Sequence, residues 1–198
     1  MIPPPPLKLN LGSGQNPQPG YLNVDKFGSP DLKWDLEVFP WPWADDSVDE
    51  ILMIHVFEHL GQAVGTYFQI IKEIYRVCRH GALIHIIVPH PCHDDFLSDP
   101  THVRSFTPYS FEFFSQARNR KWQAEKNPDS PLGIYLGVDL VSELIQVDLD
   151  EPWLSQSRSG KISDAQVRQA VSQLRNVAKQ IQFKLRVNKN PAPAAIGD

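Results

Sequence analysis

An α/β domain on a mostly parallel sheet is the fold class this chain predicts, on three observations. Leu7, Leu9 and Leu11 alternate like a buried strand and run into a tight Gly12-Ser13-Gly14 turn. A second short apolar strand, Tyr21-Leu22-Asn23-Val24-Asp25, ends in a carboxylate. Further on, strand, helix and strand follow one another across residues 48–88, the order of a right-handed parallel crossover. At 198 residues the chain is long enough for one such domain with a real core and short for two.

The elements follow in order. Pro3 to Pro6 make a stiff lead-in. Residues 7–11 and 21–25 are the first two strands, and a short third is expected around Lys33 to Leu36. The prolines keep Phe39-Pro40-Trp41-Pro42-Trp43 irregular. Val48 to Val56 reads as a buried strand, with its charges near its start. Val64, Tyr67, Phe68, Ile71, Ile74, Tyr75 and Cys78 form the stripe of an amphipathic helix over 62–79. Arg79 and His80 suit its negative end, and Gly81 is placed to cap it. Ala82 to Val88 is a near-continuous apolar strand ended by Pro89. From 90 to about 135 the pattern loosens into a partly helical insertion, expected to cap the active site. Val138 to Leu149 reads as one long strand or two short ones. A capping box, Ser163 with Gln166, opens a helical stripe from Val167 to Ala178. Ile181, Phe183, Leu185 and Val187 then alternate as a strand, ending the domain at 187, and the Pro/Ala-rich tail 188–198 is expected to be disordered.

The formal charge of −4 and pI near 6.0 come without a long basic stripe, so no nucleic-acid partner is expected. Cys78 and Cys92 imply no disulfide framework. The first residues carry neither the cationic segment nor the apolar run of a secretory signal, and no stretch is apolar enough to span a bilayer. A cytoplasmic protein without membrane contact is therefore expected, and its oligomeric state stays open.

The turn at 12–14 narrows the ligand. A strand, a Gly-x-Gly turn and a strand ending in Asp is how a Rossmann-like sheet binds a nucleoside. A dinucleotide site adds a third glycine, a helix whose N-terminus takes the pyrophosphate, and a carboxylate about twenty residues on. Here Pro17, Pro19 and Gly20 stand where that helix would run, so the first helix is short or missing. Asp25 also arrives early. The turn suits a nucleoside without phosphates, and S-adenosylmethionine is the obvious one.

The chain resembles the class I S-adenosylmethionine-dependent methyltransferases of the short, small-molecule type. The motifs that carry the resemblance are Leu-Asn-Leu-Gly-Ser-Gly at 9–14, Asn23-Val24-Asp25, Asp35-Leu36 before Phe-Pro-Trp, and Ser47-Val48-Asp49-Glu50-Ile51. His55-Val56-Phe57-Glu58-His59-Leu60, Glu73 to Gly81, and Asp99-Pro100-Thr101-His102-Val103-Arg104 with Phe106-Thr107-Pro108 complete the set. Two departures are a turn with only two glycines and a first strand that has Asn10, not an acidic residue, near its end. The resemblance implies a seven-stranded, mostly parallel sheet with helices on both faces and an antiparallel last strand. It implies S-adenosylmethionine on Leu11, Gly12, Ser13 and Gly14, with Asp25 on the ribose hydroxyls, Asp35 and the Leu36 N–H on adenine, Trp34 or Trp41 packed nearby, and His55 beside the methionine end. The acceptor is expected to be a small molecule, with Asp99, His102 and Arg104 as contacts. His59 and His102 are the candidate general bases, needed only where the acceptor must lose a proton; otherwise either is a histidine hydrogen-bonded to the backbone or opening a helix.

Other readings stay open. His55-x-x-Glu58-His59 matches the pattern of inverted zinc peptidases, which requires both histidines on one helix face with a third ligand downstream; His55 reads as the end of a buried strand, so that geometry is expected to fail. His90, His93, Asp94, Asp95, Asp99 and His102 crowd into one loop, but no spacing there matches a structural metal site, and a polar lid is expected instead of a metal. Methyl transfer to a small-molecule acceptor is the expected activity, and a methyltransferase-like domain that binds cofactor or a partner without catalysis is the alternative, because the family has no universal catalytic residue.

Overall fold

The computed structural model describes residues 5–190. Its sheet has seven strands: β1 (Lys8–Leu11), β2 (Leu22–Asp25), β3 (Leu32–Lys33), β4 (Val48–Ile54), β5 (Cys78–Pro89), β6 (Leu140–Leu149) and β7 (Ala178–Val187), in the order β3-β2-β1-β4-β5-β7-β6. Neighbours from β3 to β5 are parallel, and β7 enters antiparallel to both β5 and β6. The helices are α1 (Val64–Val77), α2 (Asp94–Leu97), α3 (Gln116–Ala124), α4 (Leu132–Leu136), α5 (Trp153–Arg158) and α6 (Asp164–Gln173). No helix joins β1 to β2, as the prolines require.

Register places Leu9, Ile51, Ile84 and Leu185 side by side, with Leu11, Met53, Ile86 and Phe183 continuing the same face. All of these are buried. The opposite face carries Glu50, Leu52, His85, Gln182 and Lys184, each only half-buried. The two faces are thus unequally covered, because the connections from β1 to β4 contain no helix to lay over the sheet. An aromatic cluster, Phe57 with Phe106, Phe111 and Tyr67, fastens the segment after β4 to the 102–115 insertion.

Several boundaries differ from the sequence pattern. Helix α1 stops at Val77, and Cys78 already has extended backbone. Gly81 therefore does not cap the helix. It sits inside β5 with φ +81°, where the pairing with β4 jumps from Val48–Cys78 to Glu50–Leu83 and the extra residues loop out as a bulge. Arg79 faces Asp49 across that bulge. At the C-terminal side, the Ser163 capping box forms, but α6 ends at Gln173, and Ala178 pairs with Leu149 as the first residue of β7. The apolar run from Val167 to Ala178 mixes a helix stripe with a strand start, a distinction periodicity blurs at a junction. Residues 188 and 189, which composition assigns to the tail, are hydrogen-bonded to the fold. Asn188 hydrogen-bonds Asp139 through both its backbone and its side chain, at 2.9 and 2.7 Å, and Lys189 Nζ donates to the Arg76 carbonyl. Residues 191–198 and the start of the proline lead-in lie outside the described residues.

Candidate active site

The parallel strands end on one side of the sheet, where an open α/β fold keeps its ligand crevice. A cleft of about 270 Å³ opens there, between the turn after β1, the ends of β2 and β3, and the segment after β4. Gly12, Gly14, Asp25, Asp35, Leu36 and His55 all line it. Val56, His59 and Leu60 close one side, and Trp34, Lys26 and Phe27 the other.

The two glycines of the turn serve different ends. Gly12 has φ +71°, and a Cβ there would fall 2.2 Å from Val56 Cγ2. Its missing side chain lets the turn pack against the β4 segment. Gly14 has φ +51° and nothing within 4 Å of a Cβ, so the space it leaves belongs to the cleft. The turn's own N–H groups are occupied: Gly12 and Ser13 both donate to the Val24 carbonyl, at 2.8 and 3.0 Å. Gly14 N–H donates to Asp25 Oδ2 at 2.8 Å. Leu11 and Ser13 have buried side chains and do not line the cleft. Beneath the turn, Asn10 Nδ2 donates to Asn23 Oδ1 at 2.9 Å, an amide pair that bridges β1 and β2.

Asp25 Oδ1 takes the Phe27 N–H at 2.8 Å, so each carboxylate oxygen accepts one backbone donor and keeps a lone pair for another. Asp35 accepts from the Glu37 N–H at 3.0 Å and lies 3.6 Å from Lys26 Nζ. Leu36 is pinned through its carbonyl, which accepts Trp41 Nε1 at 3.0 Å. Trp41 N–H in turn donates to Glu73 Oε2 at 2.6 Å, and Arg76 holds that carboxylate from the next turn of α1. Its hydrogen bond from Arg76 keeps the Glu73 carboxyl below the usual carboxylate range, against the effect of burial. Among the described residues the Leu36 N–H has no acceptor. Trp34 Nε1, at the cleft wall, is likewise buried without a partner. Trp41 is a core residue behind the loop and does not line the cleft, leaving Trp34 as the aromatic neighbour.

His55 ends β4 in the left-handed region, φ +53°, its N–H donating to the Ile87 carbonyl at 2.9 Å. Such a conformation in a non-glycine residue turns the chain sharply out of the sheet. Val56 to Leu60 then cross the strand ends, with Phe57–His59 in a 3-10 turn. Helix geometry therefore never relates His55 to His59, and the inverted-peptidase arrangement does not form. Glu58 points inward, 1% exposed, with Oε1 3.5 Å from His55 Nδ1. That carboxylate raises the His55 imidazole above the ordinary histidine range, although burial opposes it.

The loop crowded with histidines and aspartates divides. His93 Nε2 meets Asp150 at 2.9 Å, and Asp94 is held by Asn176 and Arg175, so this half staples α2 to the far elements. The other half turns back toward β4. Asp99 and His102 line a second cavity of about 270 Å³ beside the cleft, with His55, Glu58 and His59. The insertion thus meets the site through 95–102 only. Beyond it, Arg104 stacks 3.9 Å over the Tyr67 ring of α1 and donates to the Gly61 carbonyl. Arg104 does not line the cleft or the second cavity; it belongs to a groove with Tyr67 and Phe68. The spacing of the motif put it near the acceptor, but a two-residue step past His102 carried it to the other side of the Phe57 cluster.

No family model matches the chain, and no curated protein matches its sequence. Solved structures match its shape. A SAM-dependent methyltransferase from Archaeoglobus fulgidus aligns with a TM-score of 0.58 at 17% identity, over 91% of this chain and 86% of that one. The fold is that of the SAM-dependent methyltransferases. A SAM-dependent methyltransferase from Methanosarcina mazei aligns at 0.51 and 13% identity, over 91% of this chain and 92% of that one. A 16S rRNA (adenine(1408)-N(1))-methyltransferase from Catenulisporales acidiphilia, solved with its cosubstrate SAM, aligns at 0.50 and 13% identity, over 96% and 88% of the two chains. Among the described residues no helix is long and apolar enough to cross a membrane.

Proposed function

We propose that this chain binds S-adenosylmethionine in the cleft at the strand ends and transfers its methyl group to a small-molecule acceptor. The observation that carries the reading is one cleft in which two carboxylates, Asp25 and Asp35, stand beside an unsatisfied backbone donor, Leu36 N–H. Asp25, with one lone pair left on each oxygen, suits a vicinal diol such as a ribose. Asp35 next to the Leu36 N–H offers an acceptor and a donor side by side, the complement of the amino-purine edge of adenine. The open side of Gly14 and the half-buried Trp34 indole leave room and an apolar wall for the nucleoside.

The cofactor, when bound, supplies a methyl carbon already activated by a sulfonium. What the residues must add is alignment and exclusion of water, and alignment alone is worth about 7–11 kcal/mol of a barrier. His55 and His59 stand where the cleft meets the second cavity, so the acceptor is expected to enter from the side of His102 and Asp99. Where no ion occupies them, the Nε2 atoms of His59 and His102 are free to take a proton, because Nδ1 of each is engaged, by Thr101 Oγ1 and by the Phe96 carbonyl, at 2.9 and 2.8 Å.

Calorimetry with S-adenosylhomocysteine tests the reading. Binding that Asp25→Ala abolishes supports it, and no heat at millimolar ligand overturns it. An acceptor screen that includes hydroxylated small molecules and ribosomal RNA separates an active enzyme from a silent cofactor-binding domain, and turnover on RNA alone would displace the small-molecule acceptor.

A further inference from the structure

Beside the cleft lies a group of side chains that methyl transfer does not by itself require. Glu58, His59 and His102 each bring one ligand-type atom to within 4.8 Å of the others. They come from a 3-10 turn and from the insertion, 43 residues apart between the two histidines, and meet because Val103 and Arg104 N–H groups both donate to the Glu58 carbonyl, at 2.9 and 3.1 Å. The rings of His59 and His102 stand 4.6 Å apart between centroids.

Hydrogen bonds orient both imidazoles the same way. His102 Nδ1 lies 2.8 Å from the Phe96 carbonyl, which can only accept, so Nδ1 carries the proton and Nε2 presents a lone pair. His59 Nδ1 lies 2.9 Å from Thr101 Oγ1. The Thr101 hydroxyl spends its own proton on Asp99 Oδ1 at 2.6 Å, so it accepts from His59, and His59 Nε2 also presents a lone pair. A histidine whose far nitrogen is tied to a carbonyl or a carboxylate-anchored hydroxyl is the usual state of a metal ligand. The third member gives the independent sign. Glu58 is 1% exposed; its Oε1 lies 3.5 Å from His55 Nδ1 and 3.9 Å from His102 Nε2, and its Oε2 is buried with no partner. A carboxylate oxygen buried without a donor is costly unless a cation meets it.

We propose that Glu58, His59 and His102 form a binding site for one divalent transition-metal ion of the zinc, cobalt or manganese kind. Two imidazoles and a carboxylate suit such ions, whereas magnesium and calcium favour sets made of oxygen alone. Ligand bonds near 2.1 Å ask for donor atoms closer together than they now stand, which side-chain shifts on the order of an ångström supply. Three protein ligands leave the ion further positions for oxygen donors. Because His59 lines both the cofactor cleft and the metal cavity, those positions face the place where an acceptor would sit. The ion therefore selects an acceptor with a hydroxyl and a second oxygen beside it, a vicinal diol or a hydroxy acid, and holds the hydroxyl toward the cleft. This last step rests on the proposed methyl transfer; the metal site itself does not.

The test uses the full chain, washed with chelator, titrated with Co²⁺ in absorption and with Zn²⁺ in calorimetry. One ion per chain is expected, with visible Co²⁺ bands of nitrogen and oxygen ligation. Glu58→Gln, His59→Gln and His102→Gln should each remove the stoichiometric binding, with folding checked by circular dichroism. Thr101→Val, which takes away the acceptor behind His59 together with the hydrogen bond to Asp99, should weaken binding by about 10- to 100-fold. His90→Ala, outside the cluster, should leave it unchanged. No stoichiometric binding to the wild-type chain overturns the site, and so does binding that survives all three ligand variants or is lost with His90. If a ligand variant fails to fold, Thr101→Val and the wild-type stoichiometry still decide. Calorimetry with S-adenosylhomocysteine on the same preparations keeps the two proposals apart: metal bound without nucleoside removes the methyl-transfer reading alone, and nucleoside bound without metal removes the metal site alone.

Discussion

Replacing Gly12 by alanine should destabilise the fold much more than the same change two residues on. Both glycines have positive φ, +71° and +51°, so both variants carry the backbone penalty of an L-residue there, about 1–2 kcal/mol. Only at Gly12 does the new methyl meet an obstacle. It would lie 2.2 Å from Val56 Cγ2 and 2.6 Å from Val56 Cβ, far inside the contact distance of about 3.5–4.0 Å. Rotating the valine clears its methyl groups but not its Cβ, which is fixed to the backbone, so the β4 segment or the turn must move. Overpacking of this kind costs about 1–3 kcal/mol more. Gly12→Ala should then lose about 2–5 kcal/mol against about 1–2 for Gly14→Ala, a further fall in Tm of roughly 2–12 °C at this chain length. Urea denaturation of both variants at unchanged m-value measures the difference. A Gly12→Ala variant no less stable than Gly14→Ala would refute the packing role. The ligand readout should run the other way: Gly14→Ala, whose methyl projects toward the cleft, should weaken S-adenosylhomocysteine binding more than its small stability loss explains.

Glu73→Gln should cost about 2 kcal/mol, less than the roughly 3–5 typical of a broken buried pair because Arg76 is partly exposed and keeps Asp45. The folded Glu73 carboxyl titrates below its unfolded value, so its stabilisation is present above about pH 4.5 and disappears as pH falls through the folded pKa. Denaturation between pH 3 and 7 should show that loss in the wild type and a correspondingly flatter profile in Glu73→Gln; parallel profiles would count against it. Arg104→Ala should lower Tm through the lost Tyr67 stacking and Gly61 contact, worth about 1–3 kcal/mol together, while leaving S-adenosylhomocysteine affinity unchanged. A large affinity loss would return Arg104 to the ligand site.

Much of this architecture was legible from local pattern. Alternation at 7–11 and 181–187, the continuous apolar run at 82–88 and the helix stripe over 62–79 each depend on neighbours close in the chain, and the structure has strands there and a helix at Val64–Val77. The errors fall at junctions. The α1–β5 join runs without a loop, so Gly81 had the look of a cap while it relieves a bulge. The α6–β7 join hides in one apolar run for the same reason. At the site, the residues at strand ends were legible because position along a strand determines where it points: Gly14, Asp25, Asp35, Leu36 and His55 converge on one cleft. Residues in the insertion were not, since their placement depends on contacts made from the other side of the fold. Arg104 left the cleft for Tyr67, and the loop from His90 to His102 split between Asp150 and Glu58.

The turn that ends β1 marks the boundary between the two kinds of information. Sequence alone determined that it is tight, that no helix follows it, and that a carboxylate stands a short strand away, because glycine and proline constrain the backbone wherever they occur. Tertiary structure decided what each glycine is for. Gly12 answers to Val56, 44 residues on, and Gly14 to empty space. It also decided that Glu58 is buried, with one carboxylate oxygen toward His55 and His102 and the other without a partner. Burial and orphaned polar atoms are properties of the assembled surface, and no spacing in the chain encodes them.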